Sequence, residues 1–137
     1  MPSNTFWLEI LTPERSFFSG QAEQVTVTGL DGKIGVLKGH TPMVSSLGIG
    51  EVQIKQNGVW LTAACSEGFM RTDPDYTLIL VQTAEWPEEI DVNRAMYKKE
   101  QAEEKLRQKE SMREFTSNRN TLAKAVMRIR VGGKNSV

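Results

Sequence analysis

Cysteine and histidine are nearly missing from this 137-residue chain, which holds one of each, Cys65 and His40. A single cysteine excludes an internal disulfide and fits a reducing compartment. One cysteine with one histidine cannot complete an ordinary tetrahedral zinc site. No apolar run approaches the roughly 18–20 residues that a spanning helix needs. The opening Met1-Pro2-Ser3-Asn4 has no basic segment followed by an apolar one, so no secretory signal is expected. Net charge is also absent, with 17 Lys/Arg against 17 Asp/Glu. What remains is a folding composition, 39% hydrophobic and 25% charged, far from the composition of disordered chains.

The neutrality conceals a dipole. Residues 1–88 hold 5 Lys/Arg against 10 Asp/Glu, a balance of −5, and residues 89–137 hold 12 against 7, a balance of +5. Residues 113–137 hold 6 Lys/Arg and one acid, Glu114. Such a tail seeks an anionic surface: an acidic protein, phosphates or nucleic acid.

Glycine and proline punctuate the first part of the chain and are missing from residues 88–131. Before Pro87, short apolar runs recur every 8–12 residues, the rhythm of a sandwich or barrel. Val25–Thr28 and Glu51–Lys55 alternate with period two. Leu78–Val81 is continuously apolar and reads as a strand covered on both faces. Asn57-Gly58 accepts positive φ at both central positions of a tight turn and marks a hairpin. Strands are expected near 6–12, 15–18, 23–28, 33–37, 43–47, 51–56, 59–65, 67–72 and 76–83. After Pro87 the strong helix formers dominate. Two helices are expected near 88–109 and 114–131, with Pro87 in the first turn and Gly132-Gly133 ending the second. Ala95, Ala102 and Leu106 mark one apolar stripe; Phe115, Leu122, Val126 and Ile129 mark the other. The fold class is therefore mainly β plus α. An N-terminal β-sandwich of about 8–10 strands (1–87) precedes a C-terminal antiparallel two-helix hairpin (88–137). Stripes this thin gain only a few kcal/mol at about 25 cal/mol per Å², against the entropy of ordering the segment. The hairpin is therefore expected to be marginally held and able to undock or extend.

An ordered set of local patterns then carries a resemblance. It runs Leu8-Glu9-Ile10-Leu11-Thr12-Pro13-Glu14-Arg15, Phe17-Phe18-Ser19-Gly20, Val25-Thr26-Val27, Gly32-Lys33-Ile34-Gly35-Val36-Leu37 and Gly39-His40-Thr41-Pro42. It continues through Glu67-Gly68-Phe69, Ala84-Glu85 and Ile90-Asp91-Val92-Asn93-Arg94-Ala95. Over residues 6–131 the chain resembles the ε-subunit family of bacterial F-type ATP synthases. The resemblance implies a non-catalytic subunit of the central stalk, bound to the γ subunit and the c-subunit ring. By the same resemblance it is expected at the cytoplasmic face of the bacterial plasma membrane, meeting the membrane only through the complex. The sandwich helps couple ion-driven rotation to ATP synthesis. The resemblance further implies a hairpin that restrains ATP hydrolysis when it extends along γ and sets its basic second helix against the β (and α) subunits. Arg113, Arg119, Lys124, Arg128 and Arg130 are the residues for that contact, each surface pair worth about 0–1 kcal/mol.

The resemblance also implies a regulatory ATP site, with no cofactor required. Its pattern stands here as Ile90, Asp91, Arg94 and Ala95, with Glu85 six residues before the aspartate and Lys124 and Arg128 on the second helix. Residues i and i+4 share a helix face, so the cations can converge on phosphates. Lys124 occupies a position where other members have arginine, giving a point charge in place of a fork. The plainer alternative is that Asp91 caps the first turn and pairs with Arg94, while Lys124 and Arg128 are solvated.

Lys33, Lys38 and His40 fall where the resemblance puts contacts with the stalk and the c ring. His40 lacks a partner nucleophile or acid for general-base work. The glycines around Lys33 and Lys38 lack the phosphate-loop spacing and read as turns. Cys65, among small residues, reads as core, and Trp7, Trp60 and Trp86 read as core or interface. Two other functions compete: a free ATP sensor without a stalk partner, and a nucleic-acid binder using the basic tail. The latter is weak, because the domain is neutral and Phe115 is the one aromatic near those cations. No nucleic acid is expected among the partners.

Overall fold

The computed structural model describes residues 4–107 and 112–134, and the side chains of 4–105 and 119–133. The chain divides into two compact units, Met1–Glu85 and Trp86–Val137.

The first unit is a ten-stranded sandwich. Its strands are β1 (Phe6–Leu11), β2 (Ser16–Ala22), β3 (Gln24–Thr28), β4 (Lys33–Leu37), β5 (Met43–Leu47), β6 (Gly50–Gln56), β7 (Val59–Cys65), β8 (Gly68–Asp73), β9 (Tyr76–Val81) and β10 (Ala84–Glu85). One sheet runs β2-β1-β9-β8-β5 and the other β10-β7-β6-β3-β4. The alternation in the sequence sorts the side chains: Leu8, Ile10, Val25, Val27, Ile54, Met70 and Ile79 fill the space between the sheets. Buried among them, Thr72 and Thr77 face each other across β8 and β9. Their hydroxyls lie 2.7 Å apart, one donating to the other. Cys65 is buried.

The Asn57-Gly58 hairpin forms as expected, with φ of 52° and 76° at its two central residues. Two features of the sandwich differ from expectation. The short β10 was not anticipated; it pairs with Ala64 and Cys65 of β7. The apolar run of β9 is not covered on both faces: Ile79 is buried, but Leu80 is 45% exposed. β9 does pair in parallel with β1, yet its second face opens to solvent.

The second unit is the helical pair α1 (Val92–Arg107) and α2 (Met112–Lys134). The residues joining them, and with them the expected end of the first helix at 109, lie outside those described. Pro87 does not begin α1. It opens a separate 3₁₀ turn, Pro87–Glu89, closed when the Glu89 carboxylate accepts the Trp86 N–H at 2.9 Å. Ile90 is extended (φ −84°, ψ 124°). Asp91 then caps α1, its Oδ1 accepting the Arg94 N–H at 3.0 Å.

Gly132 and Gly133 do not end α2, which runs through both. A Cβ on Gly132 would lie 2.7 Å from Val92 Cγ2 and 3.2 Å from Ile90 Cγ2. The glycine therefore serves close packing against the start of α1. The apolar stripe of α2 is also displaced. Among its described residues Ala125, Met127, Val131 and Gly132 are buried, whereas Leu122, Val126 and Ile129 are half-buried. Ala95 and Ala102 of α1 are buried as expected. The side chains of Leu106 and Phe115 lie outside those described. Among the described residues no helix is long and apolar enough to cross a membrane.

Candidate functional site

Three groups of residues carry candidate roles: the outer face of one sheet, the β4 region, and the helical hairpin.

The outer face of the β2-β1-β9-β8-β5 sheet is built by the residues between the core positions. Strand register fixes its rows. Leu11, Leu80, Phe69 and Ser46 form one; Glu9, Leu78, Arg71 and Val44 the next; Trp7, Tyr76 and Asp73 a third. Phe69 is 59% exposed, Val44 71% and Trp7 37%. Scattered surface apolar residues are ordinary, but adjacent ones on neighbouring strands make a patch. A recess of about 360 Å³ lies at its end, bordered by Leu11, Pro13, Glu67, Phe69, Leu80 and Gln82.

The Trp7 row is polar and held in place. Glu9 Oε1 accepts the Trp7 indole N–H at 2.9 Å, and Oε2 accepts the Tyr76 hydroxyl at 3.2 Å. Desolvation and the Glu9 carboxylate push the Tyr76 hydroxyl above its ordinary pKa, which keeps it a donor. Arg71 lies 3.7 Å from Asp73. The face thus combines an apolar end, a recess and a polar end with fixed donors and acceptors, which is the anatomy of a protein-docking surface. Sequence reading missed it because Leu78–Val81 suggested double burial. The detectable signal was Phe69-Met70-Arg71-Thr72-Asp73, whose alternation puts Phe69 on the face opposite to buried Met70.

Lys33, Lys38 and His40 do not form one cluster. Lys33 begins β4 and Lys38 follows its end. The four intervening steps of strand, at roughly 3.3 Å each, put about 13 Å between Lys33 and Leu37. Lys33 borders an open recess of about 430 Å³, with Leu30, Asp31, Val44 and Ser45. The loop after β4 is tied to the β8–β9 turn by Gly39 N–H donating to Pro74 O at 2.7 Å. His40 Nδ1 lies 2.7 Å from Thr41 O. Trp60 is exposed, not core.

In the hairpin, Ile90 and Ala95 are buried, and Asp91 and Arg94 are exposed. Asp91 receives the backbone N–H of Arg94, as the plainer reading anticipated. Gly132 against Val92 sets the antiparallel register. At 1.5 Å per residue, Arg128 then sits about 6 Å farther along, near the level of Ala95, and Lys124 one turn beyond. Lys124 and Arg128 are half-buried, and Arg128 Nε is fully enclosed. Neither side chain is simply solvated. Glu85 ends β10 in the sandwich unit.

The described basic side chains of α2 do not share one face. Arg119 and Arg130 are exposed. Eleven residues apart, they are three turns from each other on one side. Lys124 and Arg128 turn toward the opposite, more buried side. The Arg113 side chain lies outside those described. Among the described residues no group of three or more His, Cys, Asp or Glu side chains could hold a metal ion.

Comparison with known proteins follows the same division. Residues 5–87 match the family model "ATP synthase, Delta/Epsilon chain, beta-sandwich domain", and residues 88–133 match "ATP synthase, Delta/Epsilon chain, long alpha-helix domain". The ATP synthase epsilon chain of Ruminiclostridium cellulolyticum is 47% identical over 125 residues, covering 91% of this chain and 93% of that one. That of Caldanaerobacter subterraneus subsp. tengcongensis is 47% identical over 131 residues, 95% of each. A chain in the OSCP/F1/c-ring structure of the Euglena gracilis mitochondrial ATP synthase superposes with a TM-score of 0.78 at 21% identity. It covers 87% of this chain and 76% of that one, and it shares the fold.

Proposed function

The chain belongs to the ATP synthase delta/epsilon family, and on that premise we propose that it is a non-catalytic ε subunit of a bacterial ATP synthase central stalk. It works as a docking module carrying a regulatory arm. The carrying observation is the exposed outer face of the β2-β1-β9-β8-β5 sheet, where Val44 stands in solvent and the exposed Leu80 and Phe69 border a recess. A face of this kind suits the γ subunit. The β4 end, with Lys33, and the loop of Lys38 and His40 suit contacts at the c-ring side. Association with the cytoplasmic face of the plasma membrane follows from the complex.

The hairpin supplies the regulation. Extended, it presents Arg119 and Arg130 to acidic surfaces of the catalytic β subunits and slows ATP hydrolysis. Closed, it holds Arg94, Lys124 and Arg128 for the phosphates of a regulatory ATP. The enclosed Arg128 Nε favours that assignment over a merely solvated cation. Asp91 would serve the adenine or orient the arginines.

Two experiments test these roles. ATP hydrolysis is measured for complexes carrying the full chain or a chain ending at Pro87. Retained assembly with faster hydrolysis is expected; equal rates in an assembled complex would remove the inhibitory role. Calorimetry with Arg94→Ala is expected to show at least tenfold weaker ATP binding, and unchanged binding would remove Arg94 from the site.

A further inference from the structure

Two adjacent glycines in the last turns of α2 meet very different surroundings. A glycine within a helix is destabilising relative to alanine, through backbone entropy. At Gly133 that cost has no packing compensation in view, since an added Cβ would find open space. At Gly132 the added Cβ would meet Val92 Cγ2 at 2.7 Å and Ile90 Cγ2 at 3.2 Å. Both neighbours are branched side chains anchored at the rigid entry to α1. Glu89 closes the 3₁₀ turn before Ile90, and Asp91 caps the helix after it. Ile90 and Val131 are buried, so the contact lies within a packed corner that has little freedom to yield.

Position 132 also belongs to a row. Lys124, Arg128 and Gly132 stand at i, i+4 and i+8 on α2, one above another on a single side. The close approach at Gly132 therefore sets how deeply, and in what register, the cations of that row face α1.

We propose that Gly132 is the latch of the closed hairpin: its missing side chain lets α2 seat on Ile90 and Val92, and a side chain there releases α2 from α1. The seat acts on the pairing of the helices and not on their helicity, because alanine or valine at this position would not interrupt α2. Gly133 is the built-in control, with the same residue type and the same turn but no neighbour. The latch rests on hairpin geometry alone; its effect on hydrolysis rests on the regulatory reading above.

The test uses the full chain with spin labels at Lys98→Cys and Asn120→Cys, both exposed positions on opposite helices. Cys65 is buried and stays unlabelled. Electron–electron distance distributions are compared for the parent, Gly133→Ala, Gly132→Ala and Gly132→Val. The parent and Gly133→Ala are expected to give one narrow short distance. Gly132→Ala should broaden it, and Gly132→Val should shift it to longer distances. A Gly132→Val distribution superposing on the parent would overturn the latch. If the valine variant does not fold, Gly132→Ala decides, and identity with Gly133→Ala overturns the proposal. Hydrolysis by the assembled complex separates the two readings. Longer distances with slower hydrolysis support both, whereas longer distances with unchanged hydrolysis leave the latch standing and remove the arm's regulatory role.

Discussion

Truncating Phe69 to alanine should weaken assembly while leaving the fold intact. Phe69 is 59% exposed on the outer sheet face, between Leu80 and Ser46 in its row. A phenylalanine carries roughly 200 Å² of surface, so about 120 Å² is available for a partner to cover. At about 25 cal/mol per Å² that cover is worth about 3 kcal/mol, and somewhat less after allowing for the retained Cβ. A loss of about 2–3 kcal/mol corresponds to roughly 30- to 150-fold in dissociation constant. The side chain lies beside the recess, where anchor residues tend to concentrate binding energy. The folded monomer gives up little, because the exposed part of the ring is already in water. The assay is titration of the chain against the γ-containing subcomplex, with urea unfolding of the isolated chain alongside. Affinity within a factor of two of the parent, at equal stability, would refute the docking role of this face. A large loss of stability would refute the geometry from which the estimate starts.

Two further outcomes follow from the core. Thr72→Val should cost about 1–3 kcal/mol in urea unfolding, because the enclosed Thr77 hydroxyl loses its partner. The double variant Thr72→Val with Thr77→Val should recover most of that, and additive losses would show that the pair is not coupled. Burial pushes the Cys65 thiol from 9.0 to about 12. Between these values the unfolded chain holds fewer protons than the folded one, so this contribution is fully present below pH 9 and is lost as pH rises toward 12. Cys65→Ala should flatten the alkaline fall of stability, and an unchanged alkaline profile would exclude the thiol as a source.

Much of the architecture was legible because single positions enforce it. Asn57-Gly58 demanded its turn, Val25 and Val27 alternated into the core, and the change of composition after Pro87 announced helices. The capping of α1 was half legible. Asp91 was a recognisable cap, but Glu89 reaching back to Trp86 turned Pro87 into a separate 3₁₀ turn. What sequence could not provide was the surroundings of a residue. Gly132 read as a helix end because glycine usually stops helices, and its true role depends on Ile90 and Val92, some 40 positions away. Leu78–Val81 read as doubly buried because an apolar run does not reveal which of its faces is bare. The cations of α2 likewise read as one surface, although helical rotation divides Arg119 and Arg130 from Lys124 and Arg128.

The parallel pairing of β1 with β9 has a consequence for biosynthesis. Trp7 must find Tyr76 and Leu11 must find Leu80, so the first strand waits for the ninth before its sheet can close. At roughly 5–20 residues per second, those 69 positions take about 3–14 s to emerge from a ribosome. During that interval β2 is the one partner β1 has within its own sheet, and an isolated pair of strands has marginal stability. The nascent N-terminus is thus exposed to chaperones for seconds in every round of translation. The helices come last, so the sandwich can close while they are still being made.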